Sequence, residues 1–269
     1  MDTASDNGAE PRIYLSYADN TPEHSVLFIH GYPLSSLIWA PQLEELAGVA
    51  YGVAPDLRGF GESGTPGGDV TMADYADDCI ALLDELGLED PVVVCGLSMG
   101  GYVALELQRR YPDRVSALIL ASTKAGADSD EAKAGRDKAA QTARDEGVEA
   151  IAATMLPKML AAATYAEKPE LVADVHEILR SASVDGVVGA LGAMRDRVDS
   201  TPLLARIGVP TLVLHGRDDT LMPPAEAERL AAGIPGAKLT VIPDAGHLVN
   251  LEQHEAFNDA IIEFLLTLE

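Results

Sequence analysis

The chain has only two cysteines, too few for a disulfide framework, and neither Cys79 nor Cys95 stands at a metal-ligand spacing. Both are expected to be buried free thiols. Basic residues are also scarce: 19 lysines and arginines face 43 aspartates and glutamates, a formal net charge of -24. An excess of one sign on that scale argues against nucleic acid as a partner and disfavours strongly anionic substrates. It also fits a salt-adapted surface, because screening relieves self-repulsion. No hydrophobic run approaches the length of a membrane span, and Met1 to Pro11 is polar and acidic with no apolar leader. A cytoplasmic protein with no membrane partner is therefore expected. At 269 residues and 47% hydrophobic, the chain suffices for one large domain, or one domain carrying an insertion.

What is present is a rhythm of short apolar strands and amphipathic helices. Strands are expected over Arg12 to Ala18, Ser25 to Ile29, Val49 to Ala54, Pro91 to Cys95, Val115 to Ala121, Pro210 to Leu214 and Lys238 to Ile242. Helices are expected near Trp39 and Pro41, over Met72 to Leu86, from Gly101 to Arg110, over Pro224 to Ala232 and from Glu255 to Leu268. This alternation implies an α/β fold with a mostly parallel, doubly wound sheet, whose functional groups sit at the carboxyl ends of the strands. Between Lys124 and Ala205 strand signals fade and four alanine-rich helical segments appear: Asp130 to Glu146, Val148 to Ala163, Pro169 to Ala182 and Val184 to Arg197. Residues 1–123 and 206–269 therefore read as the core, and 124–205 as an inserted helical cap.

The core is organised around Gly96-Leu97-Ser98-Met99-Gly100, placed between a strand and a helix. A serine on such a sharp turn needs small neighbours, and the two glycines supply them. The hydroxyl is a weak nucleophile until a general base takes its proton, a task that suits a neutral histidine. Among six histidines, His247 is the candidate, because it follows the last strand in Asp244-Ala245-Gly246-His247-Leu248. His24, His176 and His254 fall in polar or helical surroundings, His215 ends a strand, and His30 is explained by turn packing before Tyr32. A carboxylate must then fix the histidine tautomer. Leu214-His215-Gly216-Arg217-Asp218-Asp219 offers Asp219, with Asp218 in reserve. The backbone N–H groups of Met99 and Tyr32 are the candidate oxyanion donors.

These motifs, together with His30-Gly31-Tyr32-Pro33 and Asp56-Leu57-Arg58-Gly59-Phe60-Gly61-Glu62-Ser63, resemble those of small, capped carboxylesterases of the α/β-hydrolase family, in the same order and over nearly the whole chain. The resemblance implies Ser98 as nucleophile, Asp219 as acid, His247 as base, and an oxyanion hole at Tyr32 and Met99. Many relatives carry an aspartate near the end of the strand before the cap. This chain has Ala121-Ser122-Thr123 there, which makes Asp219 the more necessary. Dehalogenases and epoxide hydrolases of this fold use an aspartate nucleophile and are excluded by serine at position 98.

The expected activity is hydrolysis of short- to medium-chain carboxylic esters through an acyl-enzyme, with a small-molecule ester as partner and no metal or organic cofactor. Enol-lactone hydrolases, carbon–carbon bond hydrolases and cofactor-free perhydrolases share the same serine chemistry. A non-catalytic small-molecule receptor is the alternative of another class. The intact serine, acid and histidine favour the enzyme, because a pure binder needs no such set. Candidate pocket residues are Trp39, Met155, Met159, Leu191, Met194, Leu221 and Leu248; periodicity does not separate pocket lining from core.

Overall fold

Val26 and Phe28 bury themselves on one face of a sheet while Leu27 and Ile29 bury themselves on the other, as period-two alternation along a strand requires. A strand apolar on both faces must be covered on both sides. The structure, a computed structural model, describes residues 13–15, 23–64 and 69–268, and it has this layered form. In chain order the main elements begin with β1 (Ile13–Leu15), β2 (His24–Ile29), α1 (Ala40–Glu45), β3 (Ala50–Pro55), α2 (Met72–Glu85), β4 (Val92–Leu97), α3 (Met99–Arg110) and β5 (Val115–Ala121). A helical excursion follows: α4 (Asp130–Glu146), α5 (Val148–Met155), α6 (Ala162–Glu167), α7 (Pro169–Arg180), α8 (Val184–Arg195) and α9 (Thr201–Leu204). The sheet then resumes with β6 (Thr211–Gly216), α10 (Pro224–Gly233), β7 (Lys238–Ile242), α11 (Val249–Glu252) and α12 (His254–Leu265).

The strands lie in the order β1-β3-β2-β4-β5-β6-β7. All neighbours from β3 to β7 pair in parallel, and β1 joins β3 antiparallel at the edge. Arg12 and residues 16–18 of the expected first strand lie outside the described residues, as do Met1 to Pro11. The chain reverses its direction of travel across the sheet between β2 and β4, so the crevice beyond those two strand ends is where a doubly wound sheet binds its ligand. Helices α2, α3 and α10 cover one face, and α1, α11 and α12 the other. Cys79 and Cys95 are both buried and free, and burial pushes both thiols well above their ordinary pKa.

Local chemistry sets several of these boundaries. Thr71 and Asp74 cap α2 reciprocally: the Asp74 N–H donates to Thr71 Oγ1 at 3.2 Å and the Thr71 N–H to Asp74 Oδ2 at 2.8 Å. Ser129 and Ser183 cap α4 and α8 in the simpler way. The helix expected from Val148 to Ala163 is in fact broken. Pro157 removes a backbone donor and crowds the preceding turn, so α5 stops at Met155, a short 3-10 turn spans Leu156–Lys158, and α6 starts at Ala162. The interruption brings Met159 to Ala161 down onto the loop after β7, where the Leu248 N–H donates to the Met159 carbonyl at 3.0 Å.

Trp39 is a core residue and not a pocket residue. Its ring lies 5.1 Å from Phe28 and 6.2 Å from Phe257, fully buried between the sheet and α12. Such aromatic pairs contribute about 0.5–1.5 kcal/mol each beyond the area they bury, which explains why the indole sits in the packing.

Candidate active site

Ser98 joins β4 to α3 with φ 56° and ψ -112°, a left-handed conformation that costs a side-chain-bearing residue about 1–3 kcal/mol. Its neighbours hold it there: the Ser98 N–H donates to the Ala121 carbonyl at 2.9 Å, and Thr123 Oγ1 donates to the Ser98 carbonyl at 2.7 Å. The turn is possible only because Gly100 has no side chain, since a Cβ there would lie 2.0 Å from the Ile29 carbonyl oxygen. That oxygen belongs to β2 and cannot retreat. Gly100→Ala is therefore expected to cost at least the ~1–3 kcal/mol typical of overpacking, read as a fall in Tm together with loss of activity.

The loop after β2 is pressed against the turn. An added Cβ on Gly31 would stand 3.2 Å from Ser98 Cβ, so Tyr32 follows directly beside the serine. Behind this loop, His30 Nε2 accepts the Leu57 N–H at 2.9 Å while Nδ1 donates to the Gly31 carbonyl at 2.9 Å. Burial holds the His30 pKa below its ordinary value, in keeping with a neutral ring that both accepts and donates. Asp56 takes the Ser36 N–H at 2.8 Å and the Glu62 N–H at 2.9 Å, so the glycine-rich motif from Asp56 to Ser63 is scaffolding for the strand-end loops. Met99 opens α3, and N–H groups in the first turn of a helix have no acceptor inside it.

Asp219 and His247 are brought together. His247 Nδ1 lies 2.8 Å from Asp219 Oδ2, and because a carboxylate oxygen accepts, Nδ1 carries the proton and Nε2 is left as the basic nitrogen. Asp219 Oδ1 is occupied by the N–H groups of Leu221 and Met222, at 2.9 and 2.8 Å. Both side chains are almost fully buried, whereas Asp218 is exposed. Ser98, Asp219 and His247 follow β4, β6 and β7, at the same carboxyl edge of the sheet.

Two supporting residues were not marked by the sequence. His215 is fully buried and donates Nε2–H to the Met222 carbonyl at 2.8 Å, steadying the backbone that grips Asp219. Burial keeps its pKa low, against the pull of Asp219 3.7 Å away. Glu252, 1% exposed, clamps the histidine loop to the helical excursion. Its Oε1 accepts the Gly246 N–H at 2.7 Å, and its Oε2 accepts both the Ala161 N–H and Thr164 Oγ1–H at 2.6 Å. Burial raises the Glu252 pKa, opposed by those three donors. Glu252→Gln would turn an N–H toward at least one donor. It is expected to cost about 1–3 kcal/mol and lower Tm by several degrees, which a thermal melt measures.

A cavity of about 250 Å³ opens beside Tyr32, lined by Lys124, Asp128, Arg136, Met155 and Leu191 among others. Met155 and Leu191 are thus the two candidate pocket residues found on its wall. Met159 and Leu248 are fully buried where the excursion meets the histidine loop, Met194 packs into the core, and Leu221 packs against the core next to Asp219. Neither this cavity nor a larger groove of about 1010 Å³ between α2, α4 and α8 has Ser98, Asp219 or His247 in its walls; the cavity reaches the site through Tyr32.

Known proteins share this arrangement of elements. The model of the alpha/beta hydrolase fold family matches residues 24–253. A thermophilic esterase from Thermogutta terrifontis, solved with malate bound, superposes with a TM-score of 0.92 at 41% identity over 98% of this chain and 96% of that one. The enol-lactonase from Burkholderia xenovorans LB400 superposes with a TM-score of 0.88 at 30% identity, covering 97% and 98% of the two chains. By sequence, 3-oxoadipate enol-lactonase 2 of Acinetobacter baylyi is 30% identical over 251 residues, 93% of this chain and 92% of the relative. The chain belongs to the alpha/beta hydrolase family.

Proposed function

We propose that the protein is a serine hydrolase of short-chain carboxylic esters. The observation that carries this reading is the 2.8 Å bond between His247 Nδ1 and Asp219 Oδ2, which leaves Nε2 as the basic nitrogen at the sheet edge where Ser98 stands on its strained turn. Ser98 Oγ attacks the ester carbonyl carbon while His247 Nε2 takes the hydroxyl proton, and Asp219 stabilises the imidazolium that forms. The tetrahedral oxyanion faces the backbone N–H groups of Tyr32 and Met99, each worth about 3 kcal/mol of transition-state stabilisation. Collapse returns the His247 proton to the departing alkoxide and leaves an acyl-serine. Water, deprotonated by the same histidine, then releases the acid and restores Ser98.

The helical excursion acts as the cap, and its cavity beside Tyr32 receives the substituent on the reacting carbonyl. Enol-lactone hydrolysis is the second reading, favoured by the relatives that carry that activity in their names. It differs only in that the leaving oxygen stays tethered to the acyl group. A serine-directed fluorophosphonate followed by peptide mass spectrometry is expected to label Ser98, whereas an unlabelled protein would favour a ligand receptor. Hydrolysis rates for p-nitrophenyl esters of graded chain length, measured beside an enol-lactone, separate the two enzymatic readings.

A further inference from the structure

The cavity beside Tyr32 inverts the charge balance of the chain. Asp128, at its wall, is shared by three cations: Arg197 Nη1 at 2.7 Å, Arg136 Nε at 3.0 Å and Lys124 Nζ at 3.8 Å. Elsewhere acidic residues outnumber basic ones more than two to one. Both terminal nitrogens of Arg197 are engaged, since they also donate to the Met194 and Gly126 carbonyls at 2.7 Å, and its guanidinium stacks over the Tyr102 ring at 4.2 Å. Arg136 and Lys124 have fewer partners. Among the described residues Arg136 makes one hydrogen bond, through Nε, and the Lys124 ammonium makes none. Both side chains are only about a quarter exposed, at 24% and 26%, so their surplus charge is partly withdrawn from water without a full set of partners. Asp128 offsets only one of the three positive charges: burial works against its charge, yet Arg136 and Arg197 hold its pKa below the ordinary range, so it stays ionised.

Two further features point to an occupant. Tyr32 is 6% exposed and lines the cavity, and its hydroxyl is buried with no hydrogen-bond partner. Burial raises its pKa, with Arg136 pulling the other way, so the phenol remains an O–H donor. The α4 wall is made of Ala132, Gly135 and Ala139, and a Cβ added at Gly135 would meet nothing within 4 Å. Space, surplus positive charge and an unspent donor therefore meet next to the loop that supplies Tyr32.

We infer that this cavity binds a carboxylate carried by the substrate, so that the preferred substrates are small esters or lactones bearing a free carboxylate. Arg136 offers its terminal nitrogens as a fork matched to a carboxylate, Lys124 adds a second charge, and Tyr32 donates its hydroxyl. The overall charge of -24 opposes approach of an anion from a distance. Screening limits that repulsion to about 8–10 Å, and inside the cavity the cations at contact distance decide. This assignment rests on the ester-hydrolase reading for the bond that is cleaved, and on the cavity alone for the group that is recognised.

The test compares p-nitrophenyl hydrogen glutarate with its neutral methyl-capped analogue. A charge-assisted hydrogen bond of about 1.5–3 kcal/mol predicts a kcat/KM preference for the anion of roughly tenfold or more, expressed mainly in KM. Arg136→Gln is expected to remove that preference, with a loss on the anionic ester about tenfold larger than any loss on the neutral one. Because Arg136 also donates to Asp128, Lys124→Met serves as the variant that, among the described residues, removes only a 3.8 Å ion pair and no hydrogen bond, and it should weaken the anion in the same direction. Equal turnover of the two esters, or equal losses on both in the variants, overturns the assignment while the hydrolase reading stands. Titration of the Ser98→Ala protein with glutarate reads the cavity without any turnover. Saturable binding weakened about tenfold by Arg136→Gln supports the site even if no ester is hydrolysed, and glutarate binding that ignores both substitutions refutes it.

Discussion

Ser98→Ala is expected to lower kcat/KM for p-nitrophenyl acetate by about 10⁴–10⁶-fold, a loss of roughly 5–8 kcal/mol in transition-state stabilisation. The size follows from chemistry: without Oγ no acyl-enzyme forms, and only the donors around the carbonyl remain to favour attack by water. The protein should stay folded, because among the described residues Oγ makes no hydrogen bond that the turn depends on; the turn is fixed by the Ser98 N–H and carbonyl. Ser98→Gly separates the two roles of the position. Glycine adopts φ 56° freely, so this variant should be equally inactive and, through relief of strain, more stable by about 1 kcal/mol. Calorimetry on both variants beside a rate assay checks the pair. Full turnover by Ser98→Ala would remove the serine mechanism altogether.

The triad candidates were legible because each stands directly after a strand, and the topology of a parallel sheet sends such residues to one edge. Asp219 and His247 are the candidates because each follows a strand, with Asp218 in reserve, and the order serine, acid, histidine agrees with that choice. Glu252 and His215 were not legible for the opposite reason: their partners, Ala161 and Thr164 in one case and the Met222 carbonyl in the other, are set by tertiary contact and leave no periodic trace. Boundaries of α4 and β7 follow from local capping and patterning, and the expected limits coincide with those observed. The helix expected through Pro157 fails at the proline itself, where alanine-rich propensity on both sides masked the break. Pocket residues were the least legible. Met155 and Leu191 line the cavity whereas Met159 and Met194 do not, although all four fit an apolar helical face, because which side of that face meets a cavity depends on how α4, α5 and α8 pack together.

Asp219→Asn is expected to cut kcat by about 10⁴-fold with KM little changed, and the geometry says why an amide is so poor a replacement. Asp219 Oδ1 is held by the Leu221 and Met222 N–H groups, so asparagine must place its carbonyl oxygen there and turn its amino group toward His247. An amino group donates, which forces Nδ1 to become the acceptor and moves the ring proton to Nε2. That is the nitrogen that must be empty to take the Ser98 proton. Stability should be largely kept, since both backbone donors remain paired. Asp219→Ala is expected to lose the activity and also to leave two buried N–H groups unpaired, at about 1–3 kcal/mol each. His215 cannot stand in for the missing carboxylate, because burial keeps its ring neutral and its Nε2 proton is committed to the Met222 carbonyl. The exposed Asp218 is the control. Asp218→Asn should match the wild type in rate and Tm, and the reverse pattern, with Asp219→Asn active and Asp218→Asn dead, would move the acid by one residue.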